Sequence, residues 1–108
     1  ENIYPNEKFD AYGNFHKGRE EIPEWTKNVI AILKKLNISL KNKKILEVGA
    51  GDGINFIAFK KEFSISEDNY HAIELDEKSI KVCKKRGIKN ITNEFFNKQI
   101  LDKIDARF

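Results

Sequence analysis

Several residue types are scarce in this chain of 108 residues, and each scarcity argues against a class of protein. Cys83 is the only cysteine, so a disulfide within the chain is impossible, which fits a reducing compartment. No apolar run approaches the length that spans a membrane, and no signal-peptide pattern is visible, so we expect a cytoplasmic protein without a membrane partner. The chain contains no methionine, and we therefore expect its N-terminus to be trimmed or internal.

Metal-binding and nucleic-acid-binding patterns are also missing. His16 and His71 are the only histidines, and with one cysteine they form no metal-ligand spacing, so we expect no metal. No Ser-His-Asp arrangement is visible. The net charge of +3 comes from 20 basic and 17 acidic residues that are spread along the chain, so nucleic acid is not indicated. The length favours one small domain.

The richest stretch runs from Lys44 to Phe56 and reads KILEVGAGDGINF. A short apolar run typical of a buried parallel strand comes first, and three glycines and a helical pattern follow. We call residues 49–53 the glycine turn. Glycine allows positive φ angles and close approach of a ligand, so this stretch predicts a strand, a turn and a helix that form a ligand site.

The residues of the glycine turn argue against a ligand held by its phosphate groups. The third glycine of a dinucleotide-binding turn is replaced by Ile54, and Gly53 comes one residue early. Asp52 would repel a pyrophosphate at the helix start. No Gly-Lys-Ser/Thr follows, which excludes the other common phosphate loop. Glu47 near the strand end favours a ligand with positive charge.

The segments before this stretch predict an arm and a helix. Residues 1–22 contain spaced aromatic side chains without a clean period, and either a lid over the ligand or packing against the sheet and first helix is consistent with them. Pro23 suits the first position of a helix. Apolar residues recur behind it at helical spacing, and we expect this stripe to face the core. The stripe comprises Trp25, Val29, Ile32 or Leu33, and Leu36.

A second strand is predicted from Tyr70 to Leu75, and two acids stand at its end. Glu74 lies where nucleoside-binding folds place an acid that binds ribose hydroxyls. Asp76 suits the N-cap of the next helix, which Gly87 ends. The remaining elements are a helix from Glu77 to Arg86 with a buried Cys83, a third strand from Ile88 to Phe95, and a short helical turn from Gln99 to Ile104. His71 is expected on the sheet surface.

The stretch from Glu47 to Gly53 resembles the first motif of the class I S-adenosylmethionine-dependent methyltransferases, acidic-x-Gly-x-Gly-x-Gly. The stretch from Ala72 to Asp76 resembles their second motif. The resemblance implies an α/β fold, a Rossmann-like three-layer α/β/α arrangement with a parallel sheet. It assigns residues 1–22 to an arm and residues 23–108 to the cofactor-binding domain. The implied cofactor is S-adenosylmethionine, with Glu47 at its methionine end, the glycines at close backbone approach and Glu74 at the ribose. The implied cofactor-binding residues are Glu47, Gly49, Ala50, Gly51, Gly53, Glu74 and Leu75.

This sequence departs from the family's pattern after the third strand and contains fewer strands than the family has. No aspartate follows the third strand, where the family places an adenine contact; Glu94 or Asn97 could substitute, and Phe95 or Phe96 could flank the ring. Only three strands are visible where the family has seven, so we expect the N-terminal βαβαβ half of a longer protein. Its first strand would have an open edge that favours self-association or a partner.

The sequence identifies neither the methyl acceptor nor a catalytic residue. Two alternatives to a methyltransferase stay open. One is a non-catalytic cofactor-binding or regulatory subunit completed by a partner chain. The other, less favoured, is an NAD-dependent oxidoreductase.

Overall fold

The computed structural model describes residues 18–107, and its centre is a three-stranded parallel sheet. The strands follow the order β1-β2-β3, and each strand after the first is reached through a helix. The chain therefore forms two consecutive βαβ units. The elements are α1 (Glu24–Lys35), β1 (Ile45–Val48), α2 (Ile54–Phe63), a 3-10 turn (Glu67–Asn69), β2 (Tyr70–Ile73), α3 (Glu77–Lys85), β3 (Asn90–Thr92) and α4 (Lys98–Arg107).

The two faces of the sheet bury separate apolar clusters, which makes the domain three layers thick. On one face, Tyr70 and Ala72 of β2 pack with residues of α1, α2 and α3. The rings of Phe56 and Tyr70 meet edge to face, with centroids 4.9 Å apart. On the other face, Ile73 packs against Ile104 and its neighbours on α4. The predicted Rossmann-like α/β/α arrangement with a parallel sheet is confirmed.

The register aligns the carboxyl ends of β1 and β2. Ile45 stands opposite Tyr70, and Val48 stands opposite Ile73, so both strands end at the same edge of the sheet. The chain then turns directly into a helix after each strand. Because β3 pairs in parallel on the far side of β2, its end also lies at this edge.

The predicted buried stripe of α1 is wrong except at Leu33, which is partly buried against the core. Trp25, Ile32 and Leu36 are more than half exposed, whereas Thr26 and Ile30 are buried. The buried positions are offset by one residue along the chain from the predicted ones. Both stripes follow a helical period, so periodicity could not choose between them. The face that contains Thr26 can be buried because the hydroxyl of Thr26 donates a hydrogen bond to Asn55 on α2.

Several element ends differ from the prediction. β2 ends at Ile73, two residues early, and β3 covers only Asn90–Thr92. β3 is paired with β2 alone among the described residues, and Phe95 beyond it is 76% exposed, so neither pairing nor burial extends that strand. α4 is a ten-residue helix where only a short turn was expected. The predicted Asp76 cap and Gly87 terminus of α3 are confirmed.

His71 and Cys83 are both buried. We expected His71 on the sheet surface, and this is wrong because its side chain is buried. Its Nε2 lies 2.7 Å from the hydroxyl of Thr92. For Cys83 the prediction is confirmed, and burial raises the pKa of its thiol to about 12. A thiol held neutral in this way is a poor nucleophile.

No helix within residues 18–107 is long and apolar enough to cross a membrane. The predictions for the aromatic residues before Gly18 and for His16 lie outside the described residues.

Candidate functional site

A cleft of about 330 Å³ lies at the carboxyl edge of the sheet. It is formed where the three strands end, which is the place where open parallel α/β sheets bind their ligands. Its walls are mostly apolar, and two carboxylates stand at its border. The lining residues are Val48, Gly49, Ile73, Glu74, Leu75, Glu94, Phe95 and Phe96.

Glu74 joins this cleft to the glycine turn. One carboxylate oxygen accepts a hydrogen bond from the backbone N–H of Gly51 at 2.6 Å. The other accepts from the N–H groups of Leu75 and Asp76 at 3.1 and 3.0 Å. The acid of the second motif therefore lies directly against the turn of the first. Its first oxygen keeps room for one more hydrogen bond, because a carboxylate oxygen accepts two.

The backbone N–H groups of the glycine turn are largely used within the protein. Those of Gly49 and Ala50 donate to the carbonyl oxygen of Ile73 at 2.8 and 3.2 Å. Gly51 donates to Glu74, as described above, and Gly53 donates to the carbonyl oxygen of Ala50 at 3.1 Å. These donors are the groups with which a phosphate-binding loop holds its anion. Here they already have partners.

The glycines of the turn do different work. All three have positive φ, at 76° for Gly49, 61° for Gly51 and 78° for Gly53. Gly49 is exposed, and a Cβ added there would meet nothing within 4 Å. At Gly53 an added Cβ would lie 3.2 Å from Ile88 and 3.4 Å from Cys83. Gly53 therefore lets α2 pack closely on its neighbours, and Gly49 leaves backbone open at the cleft.

Asp52 does not line the cleft, and the expectation that its charge would repel a pyrophosphate is wrong. Its side chain is fully buried and forms an ion pair with Arg19. Burial alone raises the pKa of Asp52, but hydrogen bonds and charge from Arg19 outweigh it and hold the pKa below its ordinary value of 3.8. Sequence reasoning missed Arg19, since nothing in its local pattern points to a partner 33 positions away.

Glu47 belongs to a polar chain that links four elements. The hydroxyl of Thr26 donates to the side-chain oxygen of Asn55 at 2.6 Å, and the amide nitrogen of Asn55 donates to Glu47 at 2.7 Å. The hydroxyl of Tyr70 donates to the other oxygen of Glu47. Burial raises the pKa of Glu47 above its ordinary 4.5, although these hydrogen bonds act against it. Burial and the nearby Glu47 also raise the pKa of Tyr70.

The remaining predicted residues divide between core and cleft. Ala50 has its side chain in the larger core cluster, so only its backbone could meet a ligand. Leu75 is 44% exposed on the cleft. Glu94 lies on the cleft as well, whereas the side-chain oxygen of Asn97 accepts from the N–H of Ile100 and caps α4. Whether these residues bind a cofactor stays a prediction.

Neither a metal centre nor a second ligand site is assigned among the described residues. Within residues 18–107, no three His, Cys, Asp or Glu side chains are grouped as metal ligands would be. A wider concavity of about 910 Å³ runs along Gly18 to Lys27 and shares no lining residue with the cleft. Its lining residues begin at Gly18, the first described residue, and we assign no site to it.

Comparisons with known proteins find a likeness at the level of structure. No protein-family model matches the chain, and no match is found among curated proteins. A solved structure similar to this chain is a SAM-dependent methyltransferase from Bacteroides fragilis in complex with S-adenosyl-L-homocysteine. The two share 27% sequence identity with a TM-score of 0.46, over 69% of this chain and 27% of that one. This chain thus corresponds to little more than a quarter of that protein.

Proposed function

We propose that this chain binds S-adenosylmethionine in the cleft and forms the cofactor-binding portion of a methyltransferase. The observation that carries the proposal is the hydrogen bond from Gly51 to Glu74, 2.6 Å long. Two motifs that are separate in the sequence meet there, at the edge of the sheet where such a ligand would lie.

The chemistry of the cleft suits an adenosyl group. Glu74 can accept a hydrogen bond from a ribose hydroxyl with its remaining acceptor position. The exposed aromatic rings of Phe95 and Phe96 and the side chain of Leu75 offer apolar surface for a purine. A bound S-adenosylmethionine supplies an electrophilic methyl group on a positively charged sulfur. The protein's part in such a transfer is to orient the cofactor and exclude water.

The same geometry disfavours a dinucleotide. A pyrophosphate needs free backbone N–H donors at the turn, and those of Gly49, Ala50, Gly51 and Gly53 already donate within the protein. A carboxylate on Gly51 would also repel it. The absence of a third glycine at Ile54 no longer counts against a dinucleotide, because Gly53 already allows the close helix packing. The occupied donors are the stronger objection.

Isothermal titration of the chain tests the proposal. We expect S-adenosylhomocysteine and S-adenosylmethionine to bind and NAD to show no heat of binding. Gly49→Val should lose that binding, because a branched side chain there enters the open space beside the cleft. Binding of NAD alone, or equal affinity in Gly49→Val, would contradict the proposal.

The open side of β1 supports a further proposal, that another strand completes the sheet. Among the described residues β1 pairs with β2 only, and its other edge has no strand. Leu46 and Ile104 border a shallow apolar concavity beside it, and Leu101 there is 41% exposed. An open apolar edge promotes association. Light scattering tests this: self-association supports it, and a monomer with β1 amides strongly protected from hydrogen exchange opposes it.

A further inference from the structure

Arg19 lies 33 positions before Asp52 and holds it with three hydrogen bonds. The backbone N–H and Nε of Arg19 donate to Oδ2 at 2.7 and 2.9 Å. Its Nη2 donates to Oδ1 at 2.9 Å. The guanidinium therefore binds both carboxylate oxygens, and this bidentate contact fixes the orientation of the carboxylate as well as neutralising its charge.

Asp52 stands between two glycines of the turn and depends on this grip. Its side chain is fully buried, and its remaining acceptor contact comes from the N–H of Ile54 at 3.2 Å, at the start of α2. Among the described side chains, Arg19 is the one cation paired with it. Without Arg19 the turn would hold a buried negative charge with no counter-charge, which is the costly arrangement for a carboxylate.

Arg19 is itself held from the opposite side. We call residues 18–22 the leading segment. Arg86, the C-cap of α3, donates a hydrogen bond to the carbonyl oxygen of Arg19. A Cβ added at Gly18 would lie 2.4 Å from Arg86 Nη2, so the leading segment passes close over that side chain. It therefore connects the end of α3 to the glycine turn.

We propose that Arg19 is a positioning residue that sets the conformation of the glycine turn, so that cofactor affinity depends on the leading segment. The expected effect on affinity rests on the proposed function, whereas the expected effect of Arg19 on the conformation of the glycine turn does not. Arg19 lies outside the cofactor motifs and does not line the cleft. It acts through Asp52 on the backbone of Gly51 and Gly53, and Gly51 carries the contact to Glu74.

The test is a double-mutant cycle of Arg19→Met and Asp52→Asn, read out as affinity for S-adenosylhomocysteine. Arg19→Met should weaken binding about tenfold or more, since Asp52 is then a buried carboxylate without a counter-charge in the glycine turn. The affinity of Arg19→Lys should lie between those of the unchanged chain and Arg19→Met, because lysine keeps the positive charge but cannot make the bidentate contact. The double variant should recover most of the affinity, because the unpaired charge is gone.

Ile104→Ala is the matched control for lost stability. It removes a buried side chain from the opposite face of the sheet and does not line the cleft. If Arg19→Met loses no more affinity than Ile104→Ala at an equal drop in melting temperature, Arg19 is merely structural and the inference is overturned. The absence of rescue by Asp52→Asn would overturn it too.

Hydrogen exchange separates this inference from the proposed function. If the unchanged chain does not bind S-adenosylhomocysteine, the proposed function fails, and amide exchange still reads the conformation of the turn. Loss of protection in Arg19→Met at Gly51, Gly53 and Ile54, beyond that in Ile104→Ala, supports positioning by Arg19. Unchanged or uniformly lowered protection overturns it.

Discussion

The two strand-to-helix turns of this domain are built in opposite ways. The glycine turn after β1 is closed by residues distant in the sequence: Asp52 pairs with Arg19, and Gly51 donates to Glu74. The second turn, residues 74–76 after β2, is closed mainly by its own neighbours. There Asp76 accepts hydrogen bonds from both the N–H and the hydroxyl of Ser79, three residues on.

The difference concerns what each turn needs in order to form. The second turn carries its helix cap within four residues, so it can form as soon as α3 does. The glycine turn has three residues at positive φ and a buried carboxylate, and both are stabilised only when remote segments are in place. We infer that the glycine turn is the conditional part of the site and the second turn the preformed part.

The largest expected effect is a loss of stability that differs between two glycines of the glycine turn. Gly53→Ala should lower the free energy of unfolding by about 2–4 kcal/mol, from left-handed strain plus crowding against Ile88 and Cys83. Gly49→Ala, with similar φ and open space, should lower it by only about 1–2 kcal/mol. Urea unfolding followed by circular dichroism measures both. Equal losses would mean that the packing at Gly53 is unimportant.

Glu74 accepts hydrogen bonds from both turns, and its removal is the next largest effect. Glu74→Ala should weaken binding of S-adenosylhomocysteine by about 1.5–3 kcal/mol, the range for hydrogen bonds to a charged group. It should also lower stability, since three backbone N–H groups lose their acceptor. Titration and thermal melting of one variant give both numbers. A loss of stability with unchanged affinity would restrict Glu74 to closing the turns.

Asp76 tests whether the second turn stands by itself. Asp76→Ala should lower the free energy of unfolding by about 1 kcal/mol through the lost cap and leave cofactor affinity unchanged. Thermal melting and titration under the conditions used for Glu74→Ala make the pair directly comparable. If Asp76→Ala weakens binding as much as Glu74→Ala does, the division between the two acids is wrong.

The smallest effect is a pH dependence that arises under the glycine turn. Because the pKa of Glu47 is raised above 4.5 in the folded chain, the native state holds this proton more tightly than the unfolded state does. The stability contributed by Glu47 is therefore complete below pH 4.5 and declines as pH rises through the folded pKa. Asp52 acts in the opposite sense, since its lowered pKa contributes stability above 3.8 that is lost on acidification.

Glu47→Gln isolates the first of these terms. The variant keeps the shape of the side chain and cannot ionise, so its stability relative to the unchanged chain should rise as pH increases from 4.5 toward neutrality. Melting temperatures of both chains across this range measure the difference. A constant difference between them would show that Glu47 does not change its ionisation on folding.

Much of the site's location could be predicted from short stretches. An apolar strand followed by glycines predicted the first turn, and Glu74 was placed at the end of a second strand; the fold brings the two into contact. Parallel strands joined by helices end at one edge of a sheet, so the parallel sheet that the resemblance implies puts both turns at that edge. The face of α1 could not be predicted, because Thr26 needs a partner that only the packed α2 supplies.

The sequence by itself determined the order of strands and helices, the parallel sheet, the position of the glycine turn and the cap on α3. The parallel sheet is what the resemblance of the two motifs implies, and the others follow from local patterns: apolar periods, glycines in the turn and an acid placed at a helix start. Only the tertiary structure decided that Asp52 faces Arg19 and that Gly53 serves packing. The physical reason is that a buried charge or a close contact is defined by its partner, and here the partners lie tens of residues away.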